Sequence, residues 1–193
     1  MKETRFFYVP DAANTDELPA DEASHVLKVL RLKTGDELML TDGRGLVCRA
    51  EITLVSGHHC LYRIVDTETL APQWDGHVHL AIAPTKMNER MEWLAEKATE
   101  VGIDELSFLN CRYSERRVLK TERIEKIIVS AAKQSHKAYM PAVNELTPFR
   151  RFIDSHTSGH RYIAHCYEEV DRKSLFDELR RLPAAERVTI LVG

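Results

Sequence analysis

Four cysteines are few for a chain of 193 residues, and their positions at 48, 60, 111 and 166 form no C-x-x-C pair. This argues against a zinc ribbon or a thioredoxin-type centre. The four read as reduced thiols of a cytoplasmic protein. No run of eighteen apolar residues occurs, so no transmembrane helix is expected. The opening MKETRFFYVPD turns polar too early for a secretory signal. G-x-G-x-x-G and Walker A patterns are missing, which removes the usual support for a dinucleotide or P-loop site. G-x-S-x-G is missing too, so a hydrolase nucleophile elbow is not expected. His77 and His79 share one strand face and His58-His59 sit in a turn. None has a convincing set of metal partners, and no metal site is expected.

What is present is an ordinary globular composition, with 44% hydrophobic and 30% charged residues, too apolar for a disordered chain. The net charge of −3 hides a gradient. Residues 1–72 carry 8 basic and 12 acidic side chains, net −4, whereas residues 112–151 carry 10 and 4, net +6.

Two architectures follow one another. Residues 1–70 read as a small β-barrel with one helix. The expected strands are 5–9, 37–41, 46–55 and 60–65, with a helix over 21–32 and a hairpin turn at Asp42-Gly43-Arg44-Gly45. Residues 71–76 read as a linker. Residues 77–193 alternate: strands at 77–83, 105–109, 161–166 and 188–192, helices at 87–101, 121–139, 148–156 and 173–182. That order implies an α/β domain with a parallel sheet.

The helix expected over 121–139 places Arg123, Lys126, Lys133 and Lys137 within about 80° of one another at 100° per residue. Ile124, Ile127, Ile128, Ala131 and Ala132 fall on the apolar side. Arg112, Arg116, Arg117 and Lys120 precede it in a loop after a strand, where parallel sheets bind ligands. A nucleic-acid backbone would account for both placements. Met87, Met91, Leu94, Ala95 and Ala98 are expected as the buried side of helix 87–101. Lys86 and Arg90 oppose that helix's dipole, a placement that an anionic ligand would offset. His165 ends an expected strand.

Several segments, taken in order, resemble one family. Ser24-His25-Val26-Leu27-Lys28-Val29-Leu30-Arg31 resembles the H-x-x-x-VLR helix of the RsmE family of small-subunit ribosomal RNA uridine-N3 methyltransferases. Residues 96–103 (EKATEVGI) resemble its K-x-x-E-L-G-V helix end, Ser114-Glu115-Arg116 its S-E-R loop, and Ala132-Lys133-Gln134-Ser135 with Pro141 its A-x-x-Q-S-x-R-x-x-x-P segment. Ile190-Leu191-Val192-Gly193 is similar to the start of its L-L-x-G-P-E-G-G strand and loop.

The resemblance implies a PUA-like RNA-binding barrel over 1–70 and a SPOUT-type α/β methyltransferase domain over 77–193. A C-terminal trefoil knot and a homodimer go with it. It implies S-adenosylmethionine as cofactor and N3 of uridine 1498 in 16S ribosomal RNA as the target. His165, Leu191, Val192 and Gly193 are then expected at the cofactor edge. Lys28, Arg31, Lys86, Arg90, Arg112, Arg116, Arg117, Lys133 and Lys137 are expected at the RNA, and no residue is assigned as the base. Two departures stand out. Lys137 replaces the family's arginine, keeping charge but losing the bidentate fork. The P-E-G-G continuation and the later L-G-x-R-x-L-R-x-E-T segment do not follow Gly193, so the expectation is a truncated chain with an incomplete methyltransferase domain. The rival readings are a non-catalytic RNA-binding fragment and an unrelated Rossmann-like metabolic enzyme. The missing glycine fingerprint disfavours the latter.

Overall fold

The computed structural model describes residues 5–193. The chain divides into two compact units: Met1–Pro72 with Val129–Met140, and Gln73–Ile128 with Pro141–Gly193. The first unit is therefore discontinuous in sequence.

In the first unit, β1 (Phe6–Tyr8), β2 (Glu37–Thr41), β3 (Leu46–Ser56) and β4 (His59–Thr69) form one sheet in the order β1-β2-β3-β4. β1 runs parallel to β2, and the remaining pairs are antiparallel hairpins. The expected barrel is thus an open strand order with β1 and β4 at its edges. Register shifts at Arg49/Ala50 and Ile52/Leu54 bend β3, as bulges do. The inward face alternates as a half-buried strand must: Leu38 and Leu40, then Cys48, Ala50 and Ile52, then Cys60 and Tyr62, pack with Phe7, Val9 and Val26. Burial pushes the Tyr62 phenol up to about 12 and raises the Cys48 and Cys60 thiols, so all three are neutral core groups.

The expected helix over 21–32 is shorter and of mixed type. α1 (Ala20–Ser24) passes into a π-helical turn over His25–Leu30. It closes with a bond from Leu32 N to the Val26 carbonyl and with Arg31 in the left-handed region at φ 55.

In the second unit, five parallel strands stand in the order β7-β6-β5-β9-β8. They are β5 (His77–Ile82), β6 (Glu105–Asn110), β7 (Ala142–Pro148), β8 (His160–Ala164) and β9 (Arg187–Val192). β7 was not expected from the sequence. The helices are α2 (Asn88–Val101), α3 (Thr121–Gln134, whose last residues belong to the first unit), α4 (Phe149–Ser155) and α5 (Leu175–Leu179). α2 stops at Gly102, whose φ of 101 is cheap only for glycine. Met91, Ala95 and Ala98 are buried as expected, but Met87 is 51% exposed. It precedes the first helical turn in extended conformation and so falls off the helical period.

α3 ends at Gln134, five residues short of the expected limit of 139. His136 turns left-handed at φ 54, and Lys137 N bonds to the Ala132 carbonyl at 2.9 Å, a Schellman-type closure. Lys137 therefore lies beyond the helix, and its calculated place in the basic stripe does not hold. Among the described residues no helix is long and apolar enough to cross a membrane.

Candidate active site

A cavity of about 670 Å³ opens at the carboxyl ends of the second unit's strands. Its walls come from Ala83–Lys86 after β5, Leu109 and residues 111–115 at the end of β6 and beyond, Phe149 at the start of α4, 163–167 at the end of β8 and beyond, and 191–193 at the end of β9. Such a position is dictated by topology. In a parallel sheet every loop leaving a carboxyl end falls on one side, and ligands bind there. The floor is apolar, since Leu109 and Leu191 join Ala81 and Phe152 in one buried cluster.

His165 and the consecutive Leu191, Val192 and Gly193, distant from it in sequence, all line this cavity. His165 stands just after β8 rather than on it, stacks on Tyr167 at 6.1 Å between centroids, and keeps its Nδ1 buried with no hydrogen-bond partner. A Cβ placed on Gly193 would lie 3.9 Å from Cys111 Sγ, so the end of β9 adjoins the loop after β6. That loop is pinned by the Ser114 hydroxyl, which accepts from Cys111 N at 2.9 Å. Burial raises the Cys111 thiol, more than its hydrogen bond with Ser114 lowers it, which leaves it a poor nucleophile near neutrality.

The cations divide by what they already hold. Lys86 and Arg112 line the cavity, and Arg90 and Arg117 are exposed. Arg112 also lies over the Tyr113 ring at 5.3 Å. Arg116 donates to the carbonyls of Thr85 (3.1 Å) and Lys86 (2.5 Å), clipping the loops after β5 and β6 together. Arg123 is engaged bidentately by Glu92, which holds the Glu92 carboxyl down and raises the guanidinium. In the first unit Lys28 and Arg31 are exposed.

Lys133 departs from the sequence reading. Its ammonium lies 2.6 and 2.8 Å from the two oxygens of Glu22, a carboxylate only 5% exposed that also accepts from Tyr8 N at 3.3 Å. Lys133 therefore already serves as the counter-ion of a buried acid. Glu22 gave no sequence signal, because a glutamate at helical spacing reads as an exposed one.

The amino ends of the same strands carry a second polar group, of which the sequence reading had only His77 and His79 on one strand face. His79 is fully buried. Its Nε2 is 2.7 Å from Ser107 Oγ, and Asn144 Nδ2 donates to Ser107 Oγ (2.8 Å) and Glu105 Oε1 (2.7 Å). Burial pushes His79 down to about 4 against the pull of Glu105. Burial would raise Glu105, but hydrogen bonds from His77 and Asn144 bring it below the ordinary carboxylate value.

The family described as "RNA methyltransferase domain" matches residues 72–193, and "RNA methyltransferase PUA domain" matches residues 18–65. The chain belongs to the RsmE family of RNA methyltransferases. A probable rRNA-methyltransferase from Porphyromonas gingivalis is 40% identical, with a TM-score of 0.89 over 98% of this chain and 79% of that one. Ribosomal RNA small subunit methyltransferase E of Bacillus subtilis is 22% identical over 95% of this chain and 75% of its own length. Its namesake from Synechocystis is 26% identical, and the chain spans 59% of that relative. The same methyltransferase from Neisseria gonorrhoeae, solved bound to S-adenosyl methionine, shares the fold at 20% identity, with a TM-score of 0.79 over 99% of this chain and 79% of that one.

Proposed function

We propose that this protein methylates N3 of uridine 1498 in 16S ribosomal RNA with S-adenosylmethionine, as a cytoplasmic homodimer. The carrying observation is the cavity at the carboxyl ends of β5, β6, β8 and β9, which gathers His165, Leu191, Val192 and Gly193 with two cations at one opening, in a chain of the RsmE family. Residues 1–70 serve as the PUA-like RNA-binding domain. Residues 77–193 contribute the SPOUT-type catalytic domain.

The cavity residues fit the cofactor. Their apolar floor suits a nucleoside, and His165 offers a buried nitrogen without a partner. When bound, the cofactor supplies the methyl group. The protein's own part is to hold uridine in line with it, after the base leaves its stack. Lys86 and Arg112, at the cavity wall, favour the negative charge that develops on the ring as the N3 proton departs. Arg90 and Arg117 extend phosphate contact in the second unit, and Lys28, Arg31 and Lys137 offer it in the first. Lys133 contributes through Glu22 rather than as an open cation, and Arg116 by holding the loops.

Disruption of the gene in its host should remove 3-methyluridine from small-subunit RNA digests analysed by mass spectrometry. An unchanged 3-methyluridine level would overturn the assignment. Binding of the purified chain to RNA should weaken steeply with salt, and salt-insensitive binding would count against the cations named.

A further inference from the structure

The amino end of the sheet brings together three metal-ligating side chains that the methyltransferase reading does not use. One nitrogen of His79, one of His156 and a carboxylate oxygen of Glu105 all lie within 4.8 Å of one another. His79 is on β5, Glu105 opens β6, and His156 comes directly after α4. The His79 ring is wholly buried, and its Nδ1 has no hydrogen-bond partner; the nearest charge is Glu105 Oε2 at 3.5 Å. A buried ring nitrogen left without a bond is costly, and here it faces a carboxylate.

The surroundings of each ligand suit a metal. Ser107 Oγ, 2.7 Å from His79 Nε2, can take an Nε2–H, which leaves the lone pair on Nδ1. This is the outer contact that usually fixes a ligating histidine. Glu105 is held at its other oxygen by Asn144, 2.7 Å away. His156 Nδ1 is 3.0 Å from both the Phe152 carbonyl and Ser155 Oγ, and a proton donated there leaves Nε2 to bind. The ring of Phe152 stacks on His156 (4.0 Å) and meets His79 edge-on (5.5 Å), so the group has an apolar wall. His77 Nε2 (2.9 Å) and Arg187 Nη1 (3.4 Å) also reach Glu105 Oε2. Both are donors on Oε2, and with Asn144 on Oε1 they take three of the carboxylate's about four lone-pair sites, so the one left for an ion is on Oε1.

We propose that His79, Glu105 and His156 bind one divalent transition-metal ion of the zinc class, which ties the end of α4 to β5 and β6. Two imidazoles and a carboxylate are a common zinc donor set, with water completing a tetrahedron. Ligands about 2 Å from such an ion lie about 3.3 Å apart, so loading draws the three side chains inward by up to about 1.5 Å from their present spacing.

The test uses the purified, metal-stripped chain with zinc by titration calorimetry and with cobalt by visible spectroscopy. One zinc should bind per chain, with a rise in melting temperature. The cobalt complex should show ligand-field bands of a nitrogen and oxygen site without a thiolate charge-transfer band. His156→Ala and Glu105→Gln should each weaken zinc binding by about 100-fold or more, and Ser107→Ala by about 10- to 100-fold. The double variant Cys111→Ser/Cys166→Ser should bind as the parent does. The proposal fails if the parent shows no saturable zinc binding, if the cobalt spectrum carries a thiolate band, or if folded His156→Ala binds unchanged. The cobalt spectrum of the parent decides the matter even where a variant does not fold.

Discussion

At their amino ends, the parallel strands of the second unit enclose polar groups, and at their carboxyl ends they leave them open. His79, Ser107, Asn144 and Glu105 sit in a closed hydrogen-bonded group, whereas His165, Lys86 and Arg112 surround a cavity of about 670 Å³. Both ends are built on the same backbone pairing, and the difference lies in how each end is covered. Loops leaving the carboxyl ends border the cavity, while the amino ends are crossed by side chains from neighbouring strands in register, as His79 is with Glu105. Apart from the metal ion proposed above, polar residues at the closed end bear on stability and those at the open end on the methyltransferase's ligands.

Phe152 is common to both ends, because it packs on His79 and His156 and shares a cluster with Leu109 and Leu191. Phe152→Ala should cost about 3–5 kcal/mol in urea denaturation and weaken the cavity's ligand binding as well. A loss of stability with cofactor affinity intact would show that the two ends are independent. Asn144→Ala leaves Glu105 Oε1 without its amide donor and Ser107 with His79 alone. It should cost about 1–3 kcal/mol with S-adenosylmethionine affinity unchanged by calorimetry, and a fall in affinity would erase the division drawn above. Ala164→Trp, at the exposed end of β8, should do the reverse. It should reduce cofactor affinity tenfold or more while stability stays within about 0.5 kcal/mol. The smallest effect is expected of Arg117→Ala, which should lower the slope of log binding constant against log salt by about one and leave stability unaltered. A change in melting temperature would mean that Arg117 holds structure, as Arg116 does.

Sequence reading reached the strands with strong apolar patterns. β2 falls at the expected residues, and β5 and β9 lie within one residue of theirs. It missed β7 because Ala142-Val143-Asn144-Glu145-Leu146-Thr147 is an edge strand with little apolar alternation, and it overran α3 because His136, rather than a glycine, adopts the left-handed closing conformation. The cavity was partly legible, since a strand end predicts a ligand position without any knowledge of side chains. The roles of Glu22 and Glu105 were not. Each depends on partners brought from distant elements, Lys133 for one and His77, His79 and Asn144 for the other, and no local period reports that.

The discontinuity of the first unit also has a consequence for how the protein is made. Glu22 is buried early in the chain, but the ammonium that neutralises it resides in Val129–Met140. At about 5–20 residues per second of synthesis, the growing polypeptide carries its first four strands for several seconds before that cation leaves the ribosome. During this interval the carboxylate has no counter-ion from that segment and must stay hydrated. The first unit is thus completed backwards, by a segment translated after residues 73–128 of the second unit.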